Sequence, residues 1–271
     1  MDRPRADASY AGSIPAIYDA CLGPFLFAPY AEYVVRRAIE LSPASLLETA
    51  AGTGIVTELL SEALRDTRII ATDLNPDMLE VARKRVSGTD LLFRLADAQE
   101  LPFEARTFDL VLCQFGAMFF PDRARAYSEA CRVLRSEGKF IMTVWDRIDA
   151  NPASHVVELA VQSMFPDDPP RFLSRTPYGY WDESRIAAEL RSAGFSKLDH
   201  DLVQVESVVR HPEWIARGLC EGSPLGKEIE QRQPGTLAEA VSLAIDALVR
   251  AGYGAGSAAP LSAHVWIASK A

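Results

Sequence analysis

Four stretches of the chain place groups able to grip a small molecule just beyond a short apolar run. Leu46-Leu47-Glu48-Thr49 leads into Ala50-Ala51-Gly52-Thr53-Gly54. A turn of such small residues lets another molecule approach the backbone closely, and it aims the free amides of a following helix N-terminus outward. The segment Arg68–Asp73 closes on an acid, and the Asp73 carboxylate can accept both hydroxyl hydrogens of a ribose through charge-assisted bonds. Asp97-Ala98 follows a third apolar run, and Gln114-Phe115 ends a fourth. An acid after a strand is commonly a turn residue or a helix cap, and Glu48 alone could be a satisfied polar group. A suitable group at each of four consecutive strand ends is much harder to obtain from structural roles alone.

The elements that must hold these groups follow from periodicity. Strands are expected at Ser45–Thr49, Arg68–Asp73, Leu91–Ala96, Phe108–Phe115 and Lys139–Trp145. Helical spacing fills Ile55–Arg65, Pro76–Val86 and Arg123–Arg135 between them. Asn75 and Asp122 stand as N-caps for the second and third helices, Pro76 takes the first helical position, and Gly138 marks a stop. This alternation predicts an α/β fold, a mostly parallel sheet with helices on both faces. Near-continuous apolar strands such as Leu110-Val111-Leu112-Cys113 suit a sheet buried on both sides. Ligands of such sheets bind beyond the carboxyl ends of the strands.

Two further strands, Lys197–Val209 and Leu261–Ser269, bring the sheet to seven. Helices are expected at about Ala153–Met164 and Asp182–Ala193, the latter stopping at Gly194. A single domain is read over 1–271, with an N-terminal cover at 1–43, a ligand-binding core at 44–146, lid or substrate insertions at 147–181 and 211–258, and the final strand at 261–269. Residues 1–15 are polar and mobile in this reading. From Ile17 to Glu40 the pattern is amphipathic, and Pro24 and Pro29 are expected to break it into short pieces.

Composition narrows the classes further. Over 271 residues the net charge is −9, which argues against a broad nucleic-acid footprint. No apolar run is long enough to span a bilayer and no signal pattern opens the chain, so a soluble cytoplasmic protein is expected, as a monomer or a homodimer. The four cysteines, Cys21, Cys113, Cys131 and Cys220, lack metal-site spacing; no metal is expected, and Cys113 and Cys131 read as reduced core residues. His155 and His211 are the candidate bases, and neither has a diagnostic partner; His200 and His264 lie in strands and are weaker still.

The details of the turn separate possible ligands. A nicotinamide or flavin fingerprint wants a third glycine where Thr57 stands, and a phosphate loop wants Lys-Ser or Lys-Thr after the turn. Glu48 would repel a pyrophosphate and suits a cationic ligand instead, such as the sulfonium and ammonium of S-adenosylmethionine. At this point the chain resembles the class I S-adenosylmethionine-dependent methyltransferases, near the small-molecule ubiquinone/menaquinone biosynthesis C-methyltransferase branch. Leu47–Gly54 looks like that family's glycine loop, Ala71–Leu79 like its ribose segment, and Asp97–Phe103 with Phe108–Val111 like its adenine-side segment. Glu129-x-x-Arg132-Val133-Leu134-x-x-x-Gly138-Lys139 matches the helix and turn before its fifth strand.

The resemblance implies a Rossmann-like fold, S-adenosylmethionine as cofactor (S-adenosylhomocysteine as product) and a small-molecule acceptor. It assigns the backbone around Ala50, Gly52 and Thr53 to the methionine portion and Asp73 to the ribose. Leu74 and Met78 would flank the adenine, Asp97 and the Ala98 amide would read its polar edge, and Gln114 and Phe115 would face the transferred methyl. Tyr18 is a further candidate for ordering the methionine portion or the substrate. Ala50 stands where the family usually has its first glycine, and a negative φ is expected there, since alanine is disfavoured at positive φ. The Asn/Asp-Pro-Pro-Tyr tetrad of base-modifying relatives is absent; Cys113-Gln114-Phe115-Gly116 takes its place. Aromatic residues over 165–181 fit an apolar or aromatic substrate, or simple packing of a lid. The acceptor atom, O, C or N, stays open, and so does the identity of any catalytic residue. A non-catalytic adenosyl-binding regulator and a nicotinamide oxidoreductase are the alternatives.

Overall fold

A computed structural model describes residue 12 and residues 14–86 and 91–270; the polar segment 1–15 lies almost wholly outside them. Seven strands form one sheet: β1 (Ser45–Thr49), β2 (Arg68–Asp73), β3 (Leu92–Leu95), β4 (Phe108–Gln114), β5 (Leu134–Trp145), β6 (Phe195–Val208) and β7 (Ala258–Lys270). Their order is β3-β2-β1-β4-β5-β7-β6. The first five pair in parallel, and β7 is antiparallel to both β5 and β6. The order reverses between β1 and β4, so the chain leaves the sheet in opposite directions there and opens a crevice.

The helices are α1 (Ile14–Leu22), α2 (Ala28–Leu41), α3 (Ile55–Ala63), α4 (Pro76–Arg85), α5 (Arg123–Val133), α6 (Pro152–Gln162), α7 (Phe172–Arg175), α8 (Glu183–Ser192), α9 (Pro212–Cys220), α10 (Leu225–Arg232) and α11 (Leu237–Arg250). None among the described residues is long and apolar enough to cross a membrane.

The chain divides into two compact units. One comprises 30–144, 181–202 and 264–271. Its core is the sheet interior: Leu46, Leu47, Leu110, Val111, Leu112 and Ile141 are fully buried, as the unbroken apolar strands required. Phe140 stacks on Phe195 at 5.7 Å and meets Tyr127 at 6.0 Å. The other unit comprises the described residues up to 29, with 145–180 and 203–263. There α9 lies so close to α1 that a Cβ on Gly218 would stand 2.4 Å from the Leu22 side chain. The Ser207 hydroxyl donates to the Phe25 carbonyl at 2.7 Å, and α11 packs on α6 and α9. Phe172, Tyr178 and Tyr180 are buried within this unit, and Trp145 and Tyr178 rings lie 5.7 Å apart.

Some local expectations are corrected. Pro24 and Pro29 do not break the amphipathic segment: it is helical from Ile14 to Leu41, and a π-helical turn at Gly23–Phe27 sits between α1 and α2. Pro24 occupies an early position of that turn, where its missing N–H leaves no partner wanting, and Ala28 N–H reaches back to the Gly23 carbonyl. Helix α5 stops at Val133, not in the region of Gly138, because β5 already begins at Leu134. Lys270 Nζ donates to the Cys131 and Leu134 carbonyls at 2.6 and 2.7 Å, satisfying acceptors that a helix end leaves open. Asp122 caps α5 by accepting from Arg125 N–H at 3.0 Å. Asn75 holds the N-cap position of α4 without a side-chain cap; its amide turns instead toward Asp73 Oδ1, at 3.4 Å.

Candidate functional site

The carboxyl ends of β1, β2 and β4 meet around the small-residue turn. In β1, Glu48 pairs with Ala71 on one side and Leu112 on the other, so β1 is the strand flanked by both sheet halves. Beyond it the backbone enters the left-handed region at Ala50 (φ 52°), Gly52 (φ 57°) and Gly54 (φ 81°). The negative φ expected at Ala50 is therefore wrong. The loop needs a left-handed residue there, and the space that a Cβ demands comes from across the crevice. A Cβ on Gly116 would fall 2.5 Å from the Ala50 Cβ and 2.9 Å from Cys113 Sγ. The alanine and the glycine thus share one methyl-sized space between the loops after β1 and β4. Phe115, next to it, is also left-handed at φ 53°. Non-glycine residues with positive φ on both sides of the crevice are a local strain that surrounding structure must hold.

The remaining glycines have separate duties. A Cβ on Gly54 would lie 2.9 Å from that of Ala82, so this glycine lets α3 and its loop press against α4. A Cβ on Gly52 would meet nothing within 4 Å; it faces open space above the loop.

Asp73 closes the loop from the next strand. It is 6% exposed. Its Oδ2 accepts from Gly52 N–H at 2.8 Å and its Oδ1 from Asn75 N–H at 2.8 Å. Burial pushes its pKa up, and these amide bonds oppose the shift. An ionised carboxylate offers about four acceptor sites; Oδ1 also meets the Asn75 side-chain amide, so Oδ2 is the oxygen that can serve the loop and still accept a ligand hydroxyl. Glu48 lies deeper, 2% exposed. Its Oε2 accepts the Thr57 hydroxyl at 2.6 Å, and burial raises its pKa to about 8, with the Asp73 charge adding to the rise. Thr57, read from sequence only as a missing glycine, is the residue that holds this acid. A threonine nine residues after an acid carries no signal until the helix folds back over the strand.

The third strand end is built differently. Asp97 Oδ1 accepts from Gln99 N–H at 2.8 Å, and the Gln99 side chain donates to the same carboxylate at 3.0 Å, forming a tight turn. The segment behind it is clamped by α5. Glu129 accepts from Leu101 N–H at 2.8 Å, while Arg132 donates to the carbonyls of Phe103 (2.8 Å) and Leu101 (3.0 Å) and to Glu129 (2.6 Å). The spacing Glu129-x-x-Arg132 thereby acquires a physical meaning: it positions the Asp97-Ala98 turn.

Of the other candidates, Thr53 is buried in the loop and its carbonyl accepts from Arg85 at 3.0 Å. Met78 is buried on α4, while Leu74 beside it is 53% exposed. Gln114 ends β4 and Phe115 follows it; Phe115 N–H donates to Thr143 at 3.1 Å, and its ring meets Tyr30 edge-on at 5.3 Å. Tyr18 belongs to the other unit, where its ring stacks on Phe27 at 4.8 Å. All four cysteines are buried and free; burial raises the Cys113 thiol to about 11, which removes it as a nucleophile at neutral pH.

A sheet of this order places the left-handed loop after β1 and the acid after β2 at its switch point, where open α/β sheets bind their ligands. Residues 47–142 match the family model described as a methyltransferase domain. That stretch runs from β1 into β5 and carries the chain's likeness to methyltransferases. A demethylmenaquinone methyltransferase of Thermotoga maritima is 37% identical over 109 residues, which is 40% of this chain and 47% of that protein. A ubiquinone/menaquinone biosynthesis C-methyltransferase of Rhizobium etli is 28% identical over 184 residues, 62% of this chain and 71% of that one. The alignment to the Thermotoga protein thus spans about half of its length. The fold is shared with the YcgJ protein of Bacillus subtilis: TM-score 0.55 at 18% identity, covering 89% of this chain and 97% of that one. Neither the oxidoreductase nor the non-catalytic alternative is favoured by these relatives.

Proposed function

We propose that this chain methylates a small, ring-bearing acceptor of the quinone-precursor kind, using S-adenosylmethionine held across the ends of β1, β2, β3 and β4. The observation that carries the reading is the Gly52 N–H to Asp73 bond at 2.8 Å beneath a loop that is left-handed at Ala50, Gly52 and Gly54. That bond fixes a carboxylate with spare lone pairs beside a backbone that a ligand can approach. The open space over Gly52 and the Asp73 carboxylate at its edge suit a cofactor bearing a ribose. The acceptor class is supported by the activities for which the two methyltransferases above are named.

When bound, the cofactor supplies a methyl on a sulfonium, an already activated electrophile. The task of the chain is alignment. Asp73 would anchor the ribose, Leu74 and Met78 would flank the adenine, Asp97 and Ala98 would read its edge, and the Ala50–Thr53 backbone would hold the methionine end. Gln114 and Phe115 would border the space where an acceptor meets the methyl. Such positioning accounts for several kcal/mol of a transfer barrier.

The reading is tested by incubating the purified chain with methyl-labelled S-adenosylmethionine and a panel containing demethylmenaquinone, catechols and small amines. Label transferred to a ring acceptor is expected. Cofactor binding without transfer to any ring compound would overturn the acceptor class, and absence of cofactor binding would overturn the site.

A further inference from the structure

Away from the crevice, on the last two strands of the sheet, two of the four histidines come together. His200 on β6 and His264 on β7 lie nitrogen to nitrogen, Nε2 to Nδ1, at 2.9 Å. Glu183, the first residue of α8, brings its carboxylate to the same point. Its Oε2 is 3.7 Å from His200 Nδ1, and its Oε1 is 3.9 Å from His264 Nδ1. One donor atom from each of the three residues lies within 4.8 Å of the others. We propose that Glu183, His200 and His264 bind a divalent transition-metal ion of the zinc type, joining α8 to the β6–β7 strand pair.

Several observations point the same way. Glu183 is not needed as a cap, because Asp182 already accepts from Arg185 N–H at 2.9 Å; the acid is directed at the imidazoles instead. The His200 ring is fixed in place by stacking on Trp266, with centroids 4.2 Å apart and planes 23° from parallel. His264 and Trp266 alternate on β7, so both face His200 from one side of the sheet. Two imidazoles and a carboxylate form a borderline donor set that suits zinc, cobalt(II) or nickel(II) over calcium or magnesium. Metal–ligand bonds of 2.0–2.2 Å place tetrahedral donors about 3.3 Å apart; with His200 binding through Nε2, its 2.9 Å to His264 Nδ1 and the 3.9 Å from that nitrogen to Glu183 Oε1 bracket that value. His264 is buried, while the Glu183 side chain is 57% exposed, which leaves water free to complete the coordination shell.

The ligands come from three separate elements, so the site exists only in the folded chain and its ion should stabilise that state. The test uses the full chain stripped with a chelator, then titrated with zinc chloride by calorimetry and with cobalt(II) by visible absorption. One saturable equivalent, a cobalt d–d band and a raised melting temperature are expected. His200→Ala should abolish binding. Glu183→Gln, at an exposed position compatible with folding, should weaken it at least about tenfold, with the native circular dichroism retained. A His155→Ala/His211→Ala double variant, lacking the other two histidines, should bind as the parent does. No binding by the parent chain, or binding untouched by both Glu183→Gln and His200→Ala, would overturn the site.

Discussion

At the scale of single residues, two buried acids carry most of the consequences. Asp73 serves the loop through Gly52 and is placed to serve a ribose as well. Asp73→Ala is expected to weaken S-adenosylmethionine binding by about 1.5–3 kcal/mol, the range for hydrogen bonds to a charged group; titration calorimetry reads this directly, and unchanged affinity would put the ribose elsewhere. Glu48 leaves a trace in stability. Its pKa rises from 4.5 to about 8 on folding, so between those values the native state binds more protons than the unfolded chain. Its contribution is complete below about pH 4.5 and declines as pH rises toward 8, with a slope of at most about 1.4 kcal/mol per pH unit. Glu48→Gln cannot titrate, so its stability should fall less than that of the parent across this window in denaturant melts. A parallel pair of profiles would show that Glu48 is ionised in the native state already.

At the scale of elements, the loops after β1 and β4 are fitted to one another. Gly116→Ala would bring two Cβ atoms to 2.5 Å and is expected to cost about 1–3 kcal/mol, as overpacking does. Ala50→Gly removes the opposing methyl and relieves a left-handed alanine, so the double variant should recover part of the loss. Chemical denaturation of the four proteins gives the coupling; strict additivity would mean that the two positions do not touch. The α5 clamp behaves as a second element-level unit. Arg132→Ala would leave the Leu101 and Phe103 carbonyls and Glu129 without this donor. A loss of roughly 1–3 kcal/mol is expected, together with weaker cofactor binding through the displaced Asp97 turn. An unaltered affinity would separate the clamp from the site.

For the whole molecule, charge rather than geometry is the relevant property. With a net charge of −9, the chain lacks the excess of cations that releases counterions from a phosphate backbone. Filter binding at 0.15 M salt should therefore detect no retention of duplex DNA, and salt-sensitive retention would contradict the small-molecule reading. The seven-stranded order, with β7 reversed between β5 and β6, gives the α8–β6–β7 region a structure of its own at the edge opposite β3. The proposed metal ligands lie there.

All seven strands were legible in the chain itself, because period-two and period-3.6 apolar patterns are local. The strand ends at Glu48, Asp73, Asp97 and Gln114 could be read for the same reason. What only the tertiary structure decided involves partners remote in sequence. Ala50 adopts a positive φ because Gly116 yields the space, and Pro24 stays helical because a π turn absorbs it. Glu48 is held by Thr57 only once α3 folds over β1. His200 and His264, each unremarked within its own strand, meet because β6 and β7 are adjacent in the sheet. Periodicity tells which face a residue shows; strand order and register decide what that face meets.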